Sequence, residues 1–244
     1  MDMHRVRLQL RPGEQADYRH QDLIHDTLIN AWIESGARPD QVIGASAQPW
    51  TFAPLGFHNQ HQGRAHTLVV STPSAELAAI LAAFETGALR HARTTTGELL
   101  DFTSATVVHE SPPMLSEQAT LGVLTLSPIA IRDRSAPGKR WHTRLDAFDL
   151  SAAVNTRLSR IAGREVALEV HPDSLYLRAN PRHSVLVSTK RMRNGHSAFV
   201  IGMSAPLVLA GSREDLLLAW YAGLGEKTRN GFGCIGLAED GVGR

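Results

Sequence analysis

From His4 to Arg11 apolar and polar residues alternate strictly, with Val6, Leu8 and Leu10 on one face and Arg5, Arg7, Gln9 and Arg11 on the other. A period of two predicts a half-buried strand with its polar face in solvent. After a Pro12-Gly13 turn the period changes. Ile24, Leu28 and Trp32 recur at helical spacing between about Arg19 and Ser35, and Gly36 closes the run. An aromatic extended piece, Trp50 to Phe57, precedes a strand from His66 to Ser71. Thr72 then reads as an N-cap with Pro73 at the first helical position. The helix places Leu77, Ile80, Leu81 and Phe84 on one face and stops at Gly87, and a strand over Leu99 to His109 completes the order β-α-β-β-α-β.

The second half repeats that order. A strand over Leu121 to Ile131 leads through a basic connector, Arg132 to Arg144, into a helix from Asp146 to Ala162 with Leu150, Val154, Leu158 and Ile161 inward. Strand pieces are predicted at Val166 to Val170, Leu175 to Leu177 and Val185 to Thr189, and Asn194-Gly195 reads as a hairpin turn into a strand over Ser197 to Leu209. Ser212 caps the last helix, with Glu214 and Asp215 in its first turn; that helix ends at Gly223, and a strand runs from about Gly233 to Leu237. The expectation is an α+β chain of two tandem ferredoxin-like (RRM-like) domains, residues 1–112 and 113–244, divided near Pro112-Pro113.

Composition narrows the class of function. No stretch reaches the roughly 18 to 20 apolar residues of a membrane span, so a soluble cytoplasmic protein with no membrane partner is expected. Cys234 is the only cysteine, which excludes an internal disulfide and a cysteine-built zinc site. The net charge of +1 conceals an asymmetry: residues 1–117 carry 8 basic and 13 acidic groups, and residues 118–213 carry 14 and 6. Of the 25 basic residues 22 are arginine, whose planar donors suit phosphate and whose flat face stacks on bases. One cluster spans Arg132, Arg134, Lys139, Arg140 and Arg144 around Trp141. A second, Lys190, Arg191 and Arg193, sits beside the Asn194-Gly195 turn, and Arg157, Arg160 and Arg164 recur at about one-turn spacing on the intervening helix. A basic loop-helix finger set against an A-form RNA stem fits this distribution. A solvated charge run is the ordinary alternative.

Between that last helix and strand lies Gly223-Leu224-Gly225-Glu226-Lys227-Thr228-Arg229-Asn230-Gly231-Phe232-Gly233. It closes a helix and opens a strand, the reverse of a dinucleotide fingerprint, and no Gly-Lys-Ser/Thr triplet makes it a Walker loop. Glycine allows a backbone to approach a ligand closely, and Lys227 and Arg229 add charge where phosphate could sit. A glycine-rich turn capping a helix is the plainer reading. Two spaced glycines, a short basic stretch and Gly-Phe-Gly resemble the C-terminal loop of the CRISPR-associated protein 6 family, within the RAMP superfamily. Leu124-Thr125-Leu126-Ser127-Pro128-Ile129 is similar to its mid-chain strand. Trp50-Thr51-Phe52-Ala53-Pro54-Leu55 is similar to its aromatic strand, with Ala53 where serine is common. The resemblance implies tandem ferredoxin-like folds, recognition of the repeat hairpin in precursor CRISPR RNA, and a metal-independent cut that leaves 2′,3′-cyclic phosphate and 5′-hydroxyl ends, with no cofactor. It also implies that the mature guide RNA is retained with other effector subunits. Gly223, Gly225, Lys227, Arg229, Gly231, Phe232 and Gly233 are the expected RNA-holding residues of the loop.

Such a cut uses the substrate's 2′-hydroxyl as nucleophile, so the protein must take one proton, give another and stabilise charge on phosphate. The family commonly places a histidine in or just after the first helix. Tyr18, Asp22 and His25 fall at i, i+4 and i+7, on one side of that helix if it begins early, and Asp22 could orient His25. His20 lies on the neighbouring face. The loop Gly36 to Pro49 has no histidine, a departure that suggests a divergent member similar to the type IV variant; there Arg38 is the candidate for holding the scissile phosphate. His58, His61 and His66 sit in a polar loop with no carboxylate between them, poor zinc spacing. The rivals are a non-catalytic RAMP subunit that binds guide RNA and scaffolds the complex, and a small-molecule enzyme on the same scaffold.

Overall fold

The computed structural model describes residues 3–58, 62–89, 99–135, 137–138, 140–192 and 196–239. Its first half runs through β1 (His4–Gln9), a short β2 (Ala16–Tyr18), α1 (Gln21–Glu34) and the single-turn α2 (Pro39–Val42). It continues with β3 (Thr51–His58), β4 (Gly63–Thr72), α3 (Ala75–Ala82) and β5 (Thr106–His109). All pairings are antiparallel. β4 lies between β3 and β1, β2 extends the β1 side of β4, and β1 also pairs with β5. The order β3-β4-β1-β5 is that of a ferredoxin-like unit. Period two puts Val6 and Leu8 under Ile24, Leu28 and Trp32 of α1 and Leu77 and Leu81 of α3, all fully buried. Each such side chain contributes about 1.5–3 kcal/mol on leaving water.

Two local predictions shift. Thr72 stays in β4, donating its hydroxyl to the Pro49 carbonyl at 2.7 Å and accepting from the Ser74 N–H, and Ser74 caps α3 by accepting from the Leu77 N–H. The strand expected from Leu99 begins at Thr106, because the Asp101 carboxylate accepts from the N–H and hydroxyl of Thr103 and turns the chain.

The second half comprises β6 (Gln118–Thr125), β7 (Arg132–Asp133), β8 (Arg140–Trp141), α4 (Leu150–Ala162), β9 (Glu169–Pro172) and α5 (Ser174–Ala179). Then come β10 (Ser184–Arg191), β11 (Ser197–Met203), β12 (Leu207–Ser212), α6 (Arg213–Ala222) and β13 (Ile235–Leu237). The order β13-β6-β12-β9 repeats the first unit, and the β10-β11 pair is inserted between its second and third strands. The connector forms the β7-β8 ribbon beside α4, whose Leu150, Val154 and Leu158 are buried. The predicted strand Leu175 to Leu177 is helical: Asp173 accepts from the N–H groups of Leu175 and Tyr176 and caps α5. The run predicted over Ser197 to Leu209 is two strands in different sheets, parted at Ser204-Ala205-Pro206. α4 starts at Leu150 because Asp149, and not Asp146, supplies the cap.

The largest correction concerns the first strand. The polar face is not solvated at Arg5, because α6 and β13 of the second unit cover that end, whereas Gln9 stays exposed. Arg5 is fully buried, donates to the Ile235 carbonyl at 2.7 Å, pairs with Glu110 at 3.2 Å and lies 4.1 Å over the Trp220 ring. These partners offset the cost of burying its charge. Ser71 donates to the Tyr221 carbonyl, and Ala53, Leu55 and Val69 pack on Leu126 and Cys234. No described helix is long and apolar enough to cross a membrane.

Candidate functional site

The glycine-rich segment occupies the seam between the two units. Gly231, at φ +78°, leaves space for the Phe52 ring, whose carbons would lie 2.7 Å from an added Cβ. Gly233, at φ +71°, is tighter: an added Cβ would meet the Leu224 carbonyl oxygen at 1.8 Å. The Gly231 carbonyl accepts from Gln21 of α1, the Phe232 carbonyl accepts from Thr51 of β3, and the Gly233 N–H donates to the Pro128 carbonyl. These glycines therefore admit protein, not ligand. Gly223, Gly225, Gly231 and Gly233 are buried, and Phe232 is fully buried against Ala130, Val187 and Val200. The polar side of the segment is a 3₁₀ turn, Thr228–Asn230, preceded by Lys227. Lys227 is exposed and, among the described residues, the one non-glycine at positive φ.

Of three cavities, the first and third meet at this turn, and the second adjoins the first. The first, about 610 Å³, lies between Ala45, Pro49, Arg134, Arg160, Lys227 and Asn230. The second, about 440 Å³, shares Arg134, Arg157, Arg160 and Glu226 with the first and extends under the β7-β8 ribbon. The third, about 390 Å³, shares Lys227 and Asn230 with the first and is walled by Asp22 and His25 of α1 and Thr189 and Lys190 of β10. Together they form one groove from the β7-β8 ribbon past the glycine-rich turn to α1. The asymmetry of charge along the chain thus becomes a basic groove.

His25 is held firmly in the third cavity. Its Nδ1 is 3.1 Å from the Asp26 carboxylate, and its ring stacks on the buried Trp50 at 5.8 Å and 14°. Asp26, not Asp22, is therefore the acid that orients it, through Nδ1. The Asp22 carboxyl is raised, first by burial and then by Asp26, with Lys190 opposing.

The remaining candidates separate by what they touch. Tyr18 belongs to β2, since α1 begins only at Gln21; it is buried, burial pushes its phenol well above the ordinary range, and it lies outside the groove. His20 is the N-cap residue of α1 and lines none of the three cavities. Arg38 precedes α2, is 68% exposed, pairs with Asp40 at 3.2 Å and also stands outside the groove. Arg157 is occupied within the protein, donating to the carbonyls of Gly223 (2.9 Å) and Ala222 (3.2 Å) and to the Thr228 hydroxyl (2.8 Å). Arg164 clamps Asp215 at 2.6 Å and Glu214 at 3.1 Å at the start of α6, and Arg144 pairs with Asp146 at 2.6 Å. Arg229 donates to the Gly44 carbonyl and ties down the loop before β3. Arg132 lies 5.7 Å over the Trp141 ring. Arg134, Arg140, Arg160 and Lys190 are exposed. His61, Lys139, Arg193 and the Asn194-Gly195 turn lie outside the described residues, as does the side chain of Arg191. Sequence reasoning missed Gln21, Asn230 and Glu226; all three are single polar residues without a diagnostic spacing.

The family profile described as CRISPR associated protein Cas6, C-terminal, matches residues 110–237. Among solved structures, a Cas6-related protein from Pyrococcus furiosus superposes with a TM-score of 0.66 at 14% identity, over 96% of this chain and 98% of its own. One described as CRISPR associated protein Cas6 gives 0.61 at 15%, over 96% and 99%. One described as a RAMP protein binding different RNA substrates gives 0.60 at 15%, over 96% and 98%. No curated protein matches the chain. These likenesses agree with the tandem ferredoxin-like fold.

Proposed function

The chain belongs to the CRISPR-associated Cas6 family, and on that premise we propose that it binds the repeat hairpin of precursor CRISPR RNA along the groove and cuts at the base of the stem. The observation that carries this reading is the meeting of His25, Lys190, Lys227 and Asn230 around one cavity that opens onto the arginine-lined part of the groove.

In the proposed reaction the 2′-hydroxyl loses its proton and its oxygen attacks the adjacent phosphorus. The bond to the 5′-oxygen of the next nucleotide then breaks, leaving a 2′,3′-cyclic phosphate and, once that oxygen is protonated, a 5′-hydroxyl. His25 serves as proton carrier through Nε2, a contribution of typically 10²–10⁴-fold. Lys190 and Lys227 stabilise the charge developing on the non-bridging oxygens, and the Asn230 amide adds a neutral donor. Arg134 and Arg160 hold the flanking backbone, so that in-line positioning supplies a further part of the rate. An A-form stem is read here by shape and phosphate. Slow product dissociation would keep the mature guide on this chain.

One observation favours the non-cutting alternative, a RAMP subunit that scaffolds guide RNA. His25 is the one histidine among the described residues lining the third cavity, whereas the reaction moves two protons. Incubation with repeat RNA in EDTA separates the two readings. A single cut with a cyclic phosphate end is expected; tight binding without a discrete cut would establish the scaffold.

A further inference from the structure

We propose that the second cavity, at the β7-β8 end of the groove, receives an unpaired guanine base, with Glu226 reading its Watson–Crick edge. This inference rests on the groove carrying RNA, as proposed above, and assigns a separate task to the part of it farthest from His25.

The cavity differs in kind from the first. Ile131, Ala152, Ala153 and Phe148 give it an apolar floor, whereas the first cavity is walled chiefly by charged side chains. His142 and Phe148 line it as a stacked pair, ring centroids 4.0 Å apart and 21° from parallel, both partly exposed. A flat wall over an apolar floor suits the face of a base better than a phosphate. Its volume of about 440 Å³ lies in the range of small-ligand sites, roughly 300–1,000 Å³.

Glu226 is the residue that a phosphate groove alone does not explain. It lines the same cavity as Arg132, Arg134, Arg157 and Arg160, and its charge acts on Arg157 without a salt bridge within 4.0 Å among the described residues. The one hydrogen bond to its carboxylate comes from the Arg132 backbone N–H to Oε1, at 3.4 Å. A carboxylate repels phosphate but accepts well from the edge of a base. Of the four bases, guanine presents two adjacent donors, N1–H and the 2-amino group, that match two carboxylate oxygens. Adenine and cytosine present one amino group, and uracil one imino N–H. Arg134 and Arg160, shared with the first cavity, would hold the phosphates from which such a base swings inward.

The test uses RNA decamers of nine uridines and one central variable nucleotide, bound to the full chain and titrated at several salt concentrations. With guanosine at the centre, binding about tenfold tighter than all-uridine is expected, as for one bidentate base contact. Inosine, which lacks the 2-amino group, should lose most of that gain. Glu226→Gln, which keeps an acceptor for the Arg132 N–H, should abolish the guanosine preference without changing the melting temperature or the salt slope. Equal affinity for all decamers overturns the base pocket and leaves the phosphate groove standing. A guanosine preference that survives Glu226→Gln overturns the assignment to this cavity. Absence of salt-dependent binding to any decamer overturns the RNA reading of the groove, and the pocket with it.

Discussion

Arg157 and Arg160 stand three residues apart on α4 and line the same groove, yet their geometry assigns them different work. Arg157 donates three hydrogen bonds to the end of α6 and to Thr228, so it braces the glycine-rich turn. Burial, then Arg160 and Arg229, lower its pKa to about 10, so it remains charged at neutral pH. Arg157→Ala removes all three bonds. Because the site opens to the groove, water replaces part of each, and a net loss of about 1 kcal/mol per bond gives about 3 kcal/mol in all. For a protein of this size that lowers the melting temperature by about 6–12 °C. Arg160 is exposed and takes part in no hydrogen bond or ion pair among the described residues. Arg160→Ala should shift stability by less than about 0.5 kcal/mol, while reducing the slope of log affinity against log salt by about 0.7–0.9. Thermal melts and repeat-RNA titrations from low to high salt measure both quantities on the same preparations. A stable Arg157→Ala variant with a reduced slope would refute the division and return Arg157 to the RNA.

His25→Ala should slow single-turnover cleavage about 10²–10⁴-fold with unchanged affinity for repeat RNA; an unaltered rate removes His25 from the mechanism. Arg38→Ala should leave rate and affinity as they are, since its guanidinium pairs with Asp40 at the surface, and a tenfold fall in rate would bring the loop after α1 into the site. Asp22 is raised in the native protein by burial and by Asp26. The stability tied to its protonation is therefore full below the unfolded pKa near 4 and is lost as pH rises through the native value. Asp22→Asn should be more stable than the parent at pH 7 and equal to it at about pH 3; denaturant melts showing a less stable variant at pH 7 would contradict this. Gly233→Ala should accumulate as insoluble protein, because the added methyl meets the Leu224 carbonyl oxygen, and a soluble variant with a native melt would show that the seam yields.

Much of the topology could be read from period alone. Both β-α-β-β-α-β orders were legible, as were the Ser212 cap and the helix end at Gly223, because each depends on local patterning. The errors arose where local signals met longer-range ones. Alternation at Leu175-Tyr176-Leu177 suggested a strand, but the Asp173 cap makes that segment helical and leaves Leu175 exposed. Arg5 alternated onto a face that a single sheet would offer to water, and only the docking of the second unit buries it. Lys227, Lys190 and His25, picked from charge and position, line one cavity, whereas the acid beside His25 was misplaced by one helical turn because Asp26 is a sequence neighbour that helical spacing overlooks. The glycines were noticed for close backbone approach, and at Gly231 and Gly233 the groups that approach are Phe52 and Leu224. No one-dimensional pattern distinguishes an arginine that braces a loop from one that faces solvent.

The hydrogen bond from Arg5 to Ile235 joins positions 230 residues apart, and it bears on the order in which the molecule can be made. By the time His109 leaves the ribosome the first sheet can pair, yet Arg5 and Ser71 lack their partners Trp220, Tyr221 and Ile235 until α6 and β13 emerge. A nascent chain therefore carries an apolar sheet face, and a cation meant for burial, open to water and to other chains while the residues between β5 and α6 are made. The first unit gains its full cover only when β13 is delivered, so its completion rests on contacts of long sequence separation and not on local propensity.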